Sequence, residues 1–201
     1  MRVYLAGPEV FLTDSEAVGA RKIEICRRHG LTGLYPGDSS LDLSGLAPRE
    51  AGLAIYRCNR DLMQGCDAVI ANMTPFRGPS MDVGTAFELG YMAAQGKPVL
   101  GYSNTTRSFP ERVLDHFGLD SPPGSAPPER DPQSLAIENF DMADNLMLEG
   151  AILEAGFQIV TVAIAAEQDL YRDLTGFEAC VKALAEAQAK SGTAIETSDR
   201  G

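Results

Sequence analysis

Asp82 and Glu88 are the side chains of this 201-residue sequence best placed to act together on one ligand. Both fall in DAVIANMTPFRGPSMDVGTAFELGYMAAQGKPVLGY, residues 67–102, which reads without a gap as strand, loop, helix and strand. The spacing predicts a helix over residues 82–95. Asp82 stands at its start, where a carboxylate caps free backbone amides. Gly84 and Thr85 keep the first turn small, so a ligand can approach the backbone. Glu88 follows in the second turn, on a helix whose positive end favours an ionised carboxylate. The helix thus presents two acids near one loop. Each residue also has a plainer reading: Asp82 alone is most simply an N-cap, and Glu88 a solvated helix residue. A Glu among Ala86, Phe87, Leu89, Tyr91 and Met92 is destabilising unless partnered, so the local pattern leaves the two readings of Glu88 even.

The elements that would position these acids alternate. Residues 3–6 read as a buried strand broken by Gly7-Pro8, and residues 14–29 as a helix stopped by Gly30. A second apolar segment, 31–35, ends at Pro36-Gly37, and a helix follows over 48–65. The run 67–72 reads as a strand buried on both faces, residues 99–102 as the next strand and 157–162 as the last. Between them, 104–134 is rich in Pro, Gly and Ser and is expected to be a long loop with one helical turn near 111–116. Helical periodicity is expected over 136–155 and again to about Lys190, with a disordered tail at 191–201. The expectation is one domain over 1–190: an α/β, doubly wound, five-stranded parallel sheet flanked by helices, flavodoxin-like or Rossmann-like. Ligands of such sheets bind at the carboxyl ends of the strands. The loops GPEVF, MTPFRGPSMD and 104–134 all lie there.

A formal charge of −11 opposes binding to a nucleic-acid backbone, which needs clustered cations. No apolar run approaches the roughly 20 residues of a membrane helix, and the start lacks a basic region followed by a long apolar one. A cytoplasmic protein without nucleic-acid or membrane partners is expected. Cys26, Cys58, Cys66 and Cys180 have no paired spacing, so zinc is not expected, and Cys58 and Cys66, within or beside a helical pattern leading into a strand, are expected to be small buried thiols. His29 and His116 read as solvated. GPEVF lacks the glycine-rich turn of a dinucleotide site, and no GxxxxGK[ST] occurs.

Three separated strings, YLAGPEVF, DAVIANMTPFRGPSMDVGTAFELGY and DNLMLEGA (residues 144–151), resemble the nucleoside 2-deoxyribosyltransferase family, especially its purine- and pyrimidine-accepting branch. The resemblance spans most of residues 2–160 and leaves the long loop and the C-terminal helix unsupported. It implies that Glu88 attacks C1′ and forms a covalent glycosyl-enzyme, that Asp82 lies beside the base and helps manage its proton, and that Tyr4 orients Glu88. Asn145 and Met147 match positions that bind the sugar 5′-hydroxyl from a neighbouring subunit. Gly7, Pro8 and Phe11 would shape the base pocket, with Gly84 admitting the ligand. Arg77 would close over the base or remain an exposed loop residue. Some members carry a base-binding Asp where this chain has Asn59, with Asp61 nearby, so base preference is expected to differ.

The same resemblance implies exchange of the base of a 2′-deoxynucleoside with retention, nucleoside and free nucleobase as substrates, no cofactor and no metal, and a homo-oligomer with a shared active site. Two other readings remain. One is an N-glycoside hydrolase with the same nucleophile; relatives that hydrolyse deoxynucleoside monophosphates show a Ser-rich phosphate site, where this chain has Asp82 and Asn145-Leu146-Met147. The other is a non-catalytic nucleotide-sensing module on the same fold.

Overall fold

The computed structural model describes residues 1–37, 41–119 and 127–198, with side chains through Lys190 apart from Gln168. Five parallel strands form one sheet: β1 (Arg2–Ala6), β2 (Thr32–Leu34), β3 (Ala68–Asn72), β4 (Val99–Ser103) and β5 (Val160–Thr161). The order is β2-β1-β3-β4-β5, with register partners such as Tyr4 and Val69, Ala71 and Gly101. After β1 the chain moves outward to β2, then crosses back to β3 on the other side of β1. The loops leaving β1 and β3 therefore part at the carboxyl edge and open a crevice there.

The period-2 alternation of the strands sorts the core into two faces. Val3, Leu5, Ile70, Leu100 and Tyr102 pack with α1 (Ser15–Arg28) and α6 (Thr175–Ser198) through Ile25, Cys26, Phe177 and Val181. Tyr4, Ala6, Val69, Ala71 and Val99 face the other way, toward Leu89 and Met92 of α3 (Val83–Ala93), Ile152 of α5 (Leu146–Glu154) and Met63 of α2 (Pro48–Gln64). Tyr4 thus lies under the helix that carries Glu88. Among the described residues, no helix is long and apolar enough to cross a membrane.

Several expectations change. The helix expected over 136–155 is confined to α5, because Asn145 caps its start through Met147 N (3.0 Å). Upstream of it, Asp141 takes a left-handed backbone and Ala136 pairs with Arg130 in an isolated antiparallel bridge. The helical turn expected at 111–116 is a full helix, α4 (Phe109–His116), because Glu111 accepts from the Ser108 amide and hydroxyl at 2.7 and 2.8 Å. Part of the expected loop, residues 120–126, lies outside the described residues. α6 continues past Lys190 to Ser198, where a disordered tail was expected; each residue added to a formed helix gains a backbone hydrogen bond. Residues 199–201 lie outside the described residues. A 3-10 turn at Pro8–Phe11 has no counterpart in the periodicity reading.

Candidate active site

A cavity of about 480 Å³ opens at the crevice. The turn after β1 contributes Gly7, Val10 and Phe11; the segment after β2 contributes Pro36, Gly37, Leu41 and Leu43. α2 adds Ile55, Cys58 and Asn59, and the first turns of α3 add Asp82, Gly84, Thr85 and Glu88. A wider groove of about 710 Å³ between α1 and α6, lined by residues such as Arg21, Glu24, Arg28 and Glu178, receives none of these loops.

Thr85, Glu88 and Met92 fall on one stripe of α3, since residues three and four apart share a helix face. That stripe turns toward the sheet, and Glu88 meets Tyr4 there: the Tyr4 hydroxyl donates to Glu88 Oε1 at 2.5 Å. Glu88 Oε2 has no hydrogen-bond partner among the described residues. Burial pushes the Glu88 carboxyl up to about 7; the Tyr4 hydroxyl pulls it down, the Asp82 charge raises it and Lys22 lowers it. Burial and the adjacent Glu88 charge hold the Tyr4 phenol far above its ordinary value, so it remains a donor. Asp82 caps α3: its Oδ2 accepts from Thr85 N at 2.9 Å and from the Thr85 hydroxyl at 3.0 Å. The capping and site readings of Asp82 are therefore compatible. One oxygen caps the helix while the side chain lines the cavity beside Glu88.

Phe11 and Phe76 stack with ring centroids 5.3 Å apart and planes 12° from parallel. The Arg77 guanidinium lies 4.6 Å from the Phe76 ring centroid and 5.3 Å from that of Phe11. Arg77 has φ 57°, a conformation that costs on the order of 1 kcal/mol or more in a non-glycine residue and that the stacking offsets. It braces the ring that faces the cavity. Pro8 is buried in the 3-10 turn. That turn is anchored by Glu9, fully buried, whose Oε1 accepts from Lys22 Nζ at 2.9 Å, Asn72 Nδ2 at 3.0 Å and Tyr102 Oη at 2.8 Å. A Cβ at position 7 would stand 1.9 Å from Glu9 Oε2, so only glycine fits there.

The structure brings Gly7, Phe11, Asn59, Asp82, Gly84 and Glu88 together, with Tyr4 behind Glu88. Asp61 does not join them. Two positions beyond Asn59 on a helix, it turns to another face, pairs with the Arg60 guanidinium at 2.7 Å and borders a neighbouring cavity. Asn145 and Met147 also lie outside the cavity of their own chain. Asn145 donates to Glu138 Oε1 at 2.8 Å, and Met147 is 73% exposed. Cys58 is half-buried and lines the cavity, unlike the buried Cys26, Cys66 and Cys180, because it shares an α2 face with Ile55. His29 is half-buried, 3.4 Å from Glu178 Oε1, whereas His116 is exposed. Val10, Leu41, Leu43 and Ile55 were not anticipated as lining residues; apolar side chains on a polar loop and on an exposed helix were the signal.

A model of the nucleoside 2-deoxyribosyltransferase family matches residues 3–147 of the chain. An uncharacterized protein of Schizosaccharomyces pombe is 37% identical over 173 residues, covering 81% of this chain and 82% of that protein. The solved structure of a 2-desoxiribosyltransferase from Leishmania mexicana is similar with a TM-score of 0.57 and 29% identity, over 85% of this chain and 93% of that one. The matched span contains Tyr4 of β1, all of α3 with Asp82 and Glu88, and Asn145 and Met147. The chain belongs to the nucleoside 2-deoxyribosyltransferase family.

Proposed function

We propose that this chain exchanges the base of a 2′-deoxynucleoside through a covalent glycosyl-Glu88 intermediate, with retention at C1′. The observation that carries the reading is the Glu88 carboxylate, one oxygen fixed by Tyr4 and the other free, in a cavity shared with Asp82. In the first step a lone pair of Glu88 Oε2 forms the bond to C1′, the C1′–N bond breaks, and its electron pair leaves with the base, whose nitrogen gains a proton with help from Asp82. In the second, a base deprotonated at its reacting nitrogen attacks C1′ from the opposite face and the glutamate leaves as carboxylate. Two inversions give retention. The chemistry asks for no cofactor.

The lining favours a nucleoside over a nucleotide. Among the described residues it holds the acids Asp82 and Glu88 and neither Lys nor Arg, so a phosphate there would meet like charge without a counterion. The base would sit between the apolar side chains and Phe11, with the Asn59 amide able to donate and accept. The reading includes a homo-oligomer in which Asn145 and Met147 reach the sugar in a neighbouring copy. Exposed apolar residues on α2 and α3, among them Leu53, Ile55, Tyr56 and Phe87, support such an assembly.

Incubating deoxyinosine with adenine tests exchange by chromatography. Deoxyadenosine and hypoxanthine should appear in equal amounts, with little hypoxanthine when adenine is omitted. Hypoxanthine released at the same rate with or without adenine, and no deoxyadenosine, would establish a hydrolase instead.

A further inference from the structure

Asp144 joins two parts of the molecule that the chemistry needs. It is 3% exposed, and its Oδ2 accepts from the backbone amide of Met81 at 3.2 Å, the residue before Asp82. Its Oδ1 accepts from the amide of Asn145 at 2.8 Å. Asn145 in turn caps α5.

Asp144 is itself held from α4, in the connection that follows β4. The Arg112 guanidinium lies 3.5 Å from Asp144 Oδ2 and donates to the Ala143 carbonyl. Arg112 is 6% exposed, and its Nε and Nη1 have no partner among the described residues. A buried ion pair with donors left over contributes little to stability compared with apolar packing, but it fixes geometry by removing alternatives for both partners. The geometry fixed here is the entry into α3. Between the turn closed by Phe76 N and Ser80 O and the cap made by Asp82, the Met81 amide is the backbone group tied to another part of the chain.

We propose that Asp144, held by Arg112, is the positioning residue that sets Asp82 in the site, so that α4 acts on the chemistry without touching substrate. This rests on the reading of Asp82 as the residue beside the base. If Asp144 works through Asp82, its removal matters only while Asp82 can do its work. A merely structural role instead lowers the folded fraction at least as much in the Asp82→Asn background, because Asp82 also caps α3.

The test is a double-mutant cycle on base exchange with Asp144→Asn, Asp82→Asn and the pair. An amide in place of the Asp144 carboxylate cannot accept from both backbone donors as the carboxylate does. Asp144→Asn should lower kcat/KM roughly 10- to 100-fold with Asp82 present and less than about 2-fold in the Asp82→Asn background. An equal or larger factor in the Asp82→Asn background, or no effect with Asp82 present, overturns the proposal. Arg112→Lys, which keeps a cation but shortens its reach, runs through the same cycle and should show the same non-additivity. A wild type that exchanges normally while the cycle is additive removes the role of Asp144 alone; a wild type that turns over no deoxynucleoside removes the function and this role together.

Discussion

Glu88→Gln should abolish base exchange, lowering kcat/KM by at least roughly 10,000-fold, and should leave a protein more stable than the wild type in alkaline solution. Gln cannot form the glycosyl ester, yet its amide oxygen can still accept from the Tyr4 hydroxyl. The stability gain follows from the Glu88 pKa, raised by burial from 4.5 to about 7. A carboxyl whose pKa is higher in the folded than in the unfolded chain binds its proton more tightly when folded. Its contribution to stability is present below pH 4.5, is lost as the pH rises to about 7, and stays lost above that. The full loss is about 3 kcal/mol, and near pH 5 it is about 1 kcal/mol. Urea denaturation at pH 8.5 and pH 5 should therefore show Glu88→Gln more stable than wild type by amounts that differ between the two. An equal difference at both pH values would mean that the folded protein does not carry a strained buried charge at this position.

Tyr4→Phe should move the pH dependence of catalysis. The nucleophile is the ionised form of Glu88, so wild-type kcat/KM should rise with pH and level off above about 7. The Tyr4 hydroxyl stabilises that ionised form; a hydrogen bond to a charged group is worth about 1.5–3 kcal/mol. Without it the inflection should shift upward by about 1–2 pH units, with kcat/KM at pH 7 reduced roughly 5- to 50-fold and partly recovered at pH 9. The removed atom lies within the pocket of strands and helix where Phe also fits, so the fold should persist. An unshifted inflection would show that Tyr4 contributes packing and not charge stabilisation.

The parts of the candidate site that share one short segment had their placement legible in the sequence. Asp82, Gly84 and Glu88 sit on a single capped helix, and helical spacing is enough to place them on one end and one stripe. The β-strand period gives Tyr4 a definite face, but only the pairing of β1 with β3 and the packing of α3 over them shows that it is the Glu88 face. The alternation of strands and helices gave the fold class for a similar reason, since parallel strands require helical crossovers. What stayed hidden depends on distant partners. Glu9 looks like a loop acid until Lys22, Asn72 and Tyr102, from three other elements, converge on its carboxylate. Asp144 looks like an interior residue of the helix expected over 136–155 until Met81 and Arg112 are beside it. The part of the expected helix over 136–145 failed because only Ile137 of that stretch joins the small cluster with Val113 and Leu114, while Phe140 is exposed and Asn145 caps a helix that begins at Leu146. Asn59 and Asp61 could be separated by helical phase alone once α2 was placed against the cavity.

The covalent bond at Glu88 can be examined directly with a 2′-deoxy-2′-fluoro nucleoside. Fluorine at C2′ opposes the positive charge that develops at C1′ and slows release of the glycosyl group, so that intact-mass and peptide spectra can detect it. The expected result is one added fluorosugar per chain, on the peptide containing Glu88, absent from Glu88→Gln and lost when a free nucleobase is supplied. A fluorosugar attached to any other side chain, or complete turnover of the same compound without a labelled protein at any time point, would contradict the assignment of Glu88 as nucleophile.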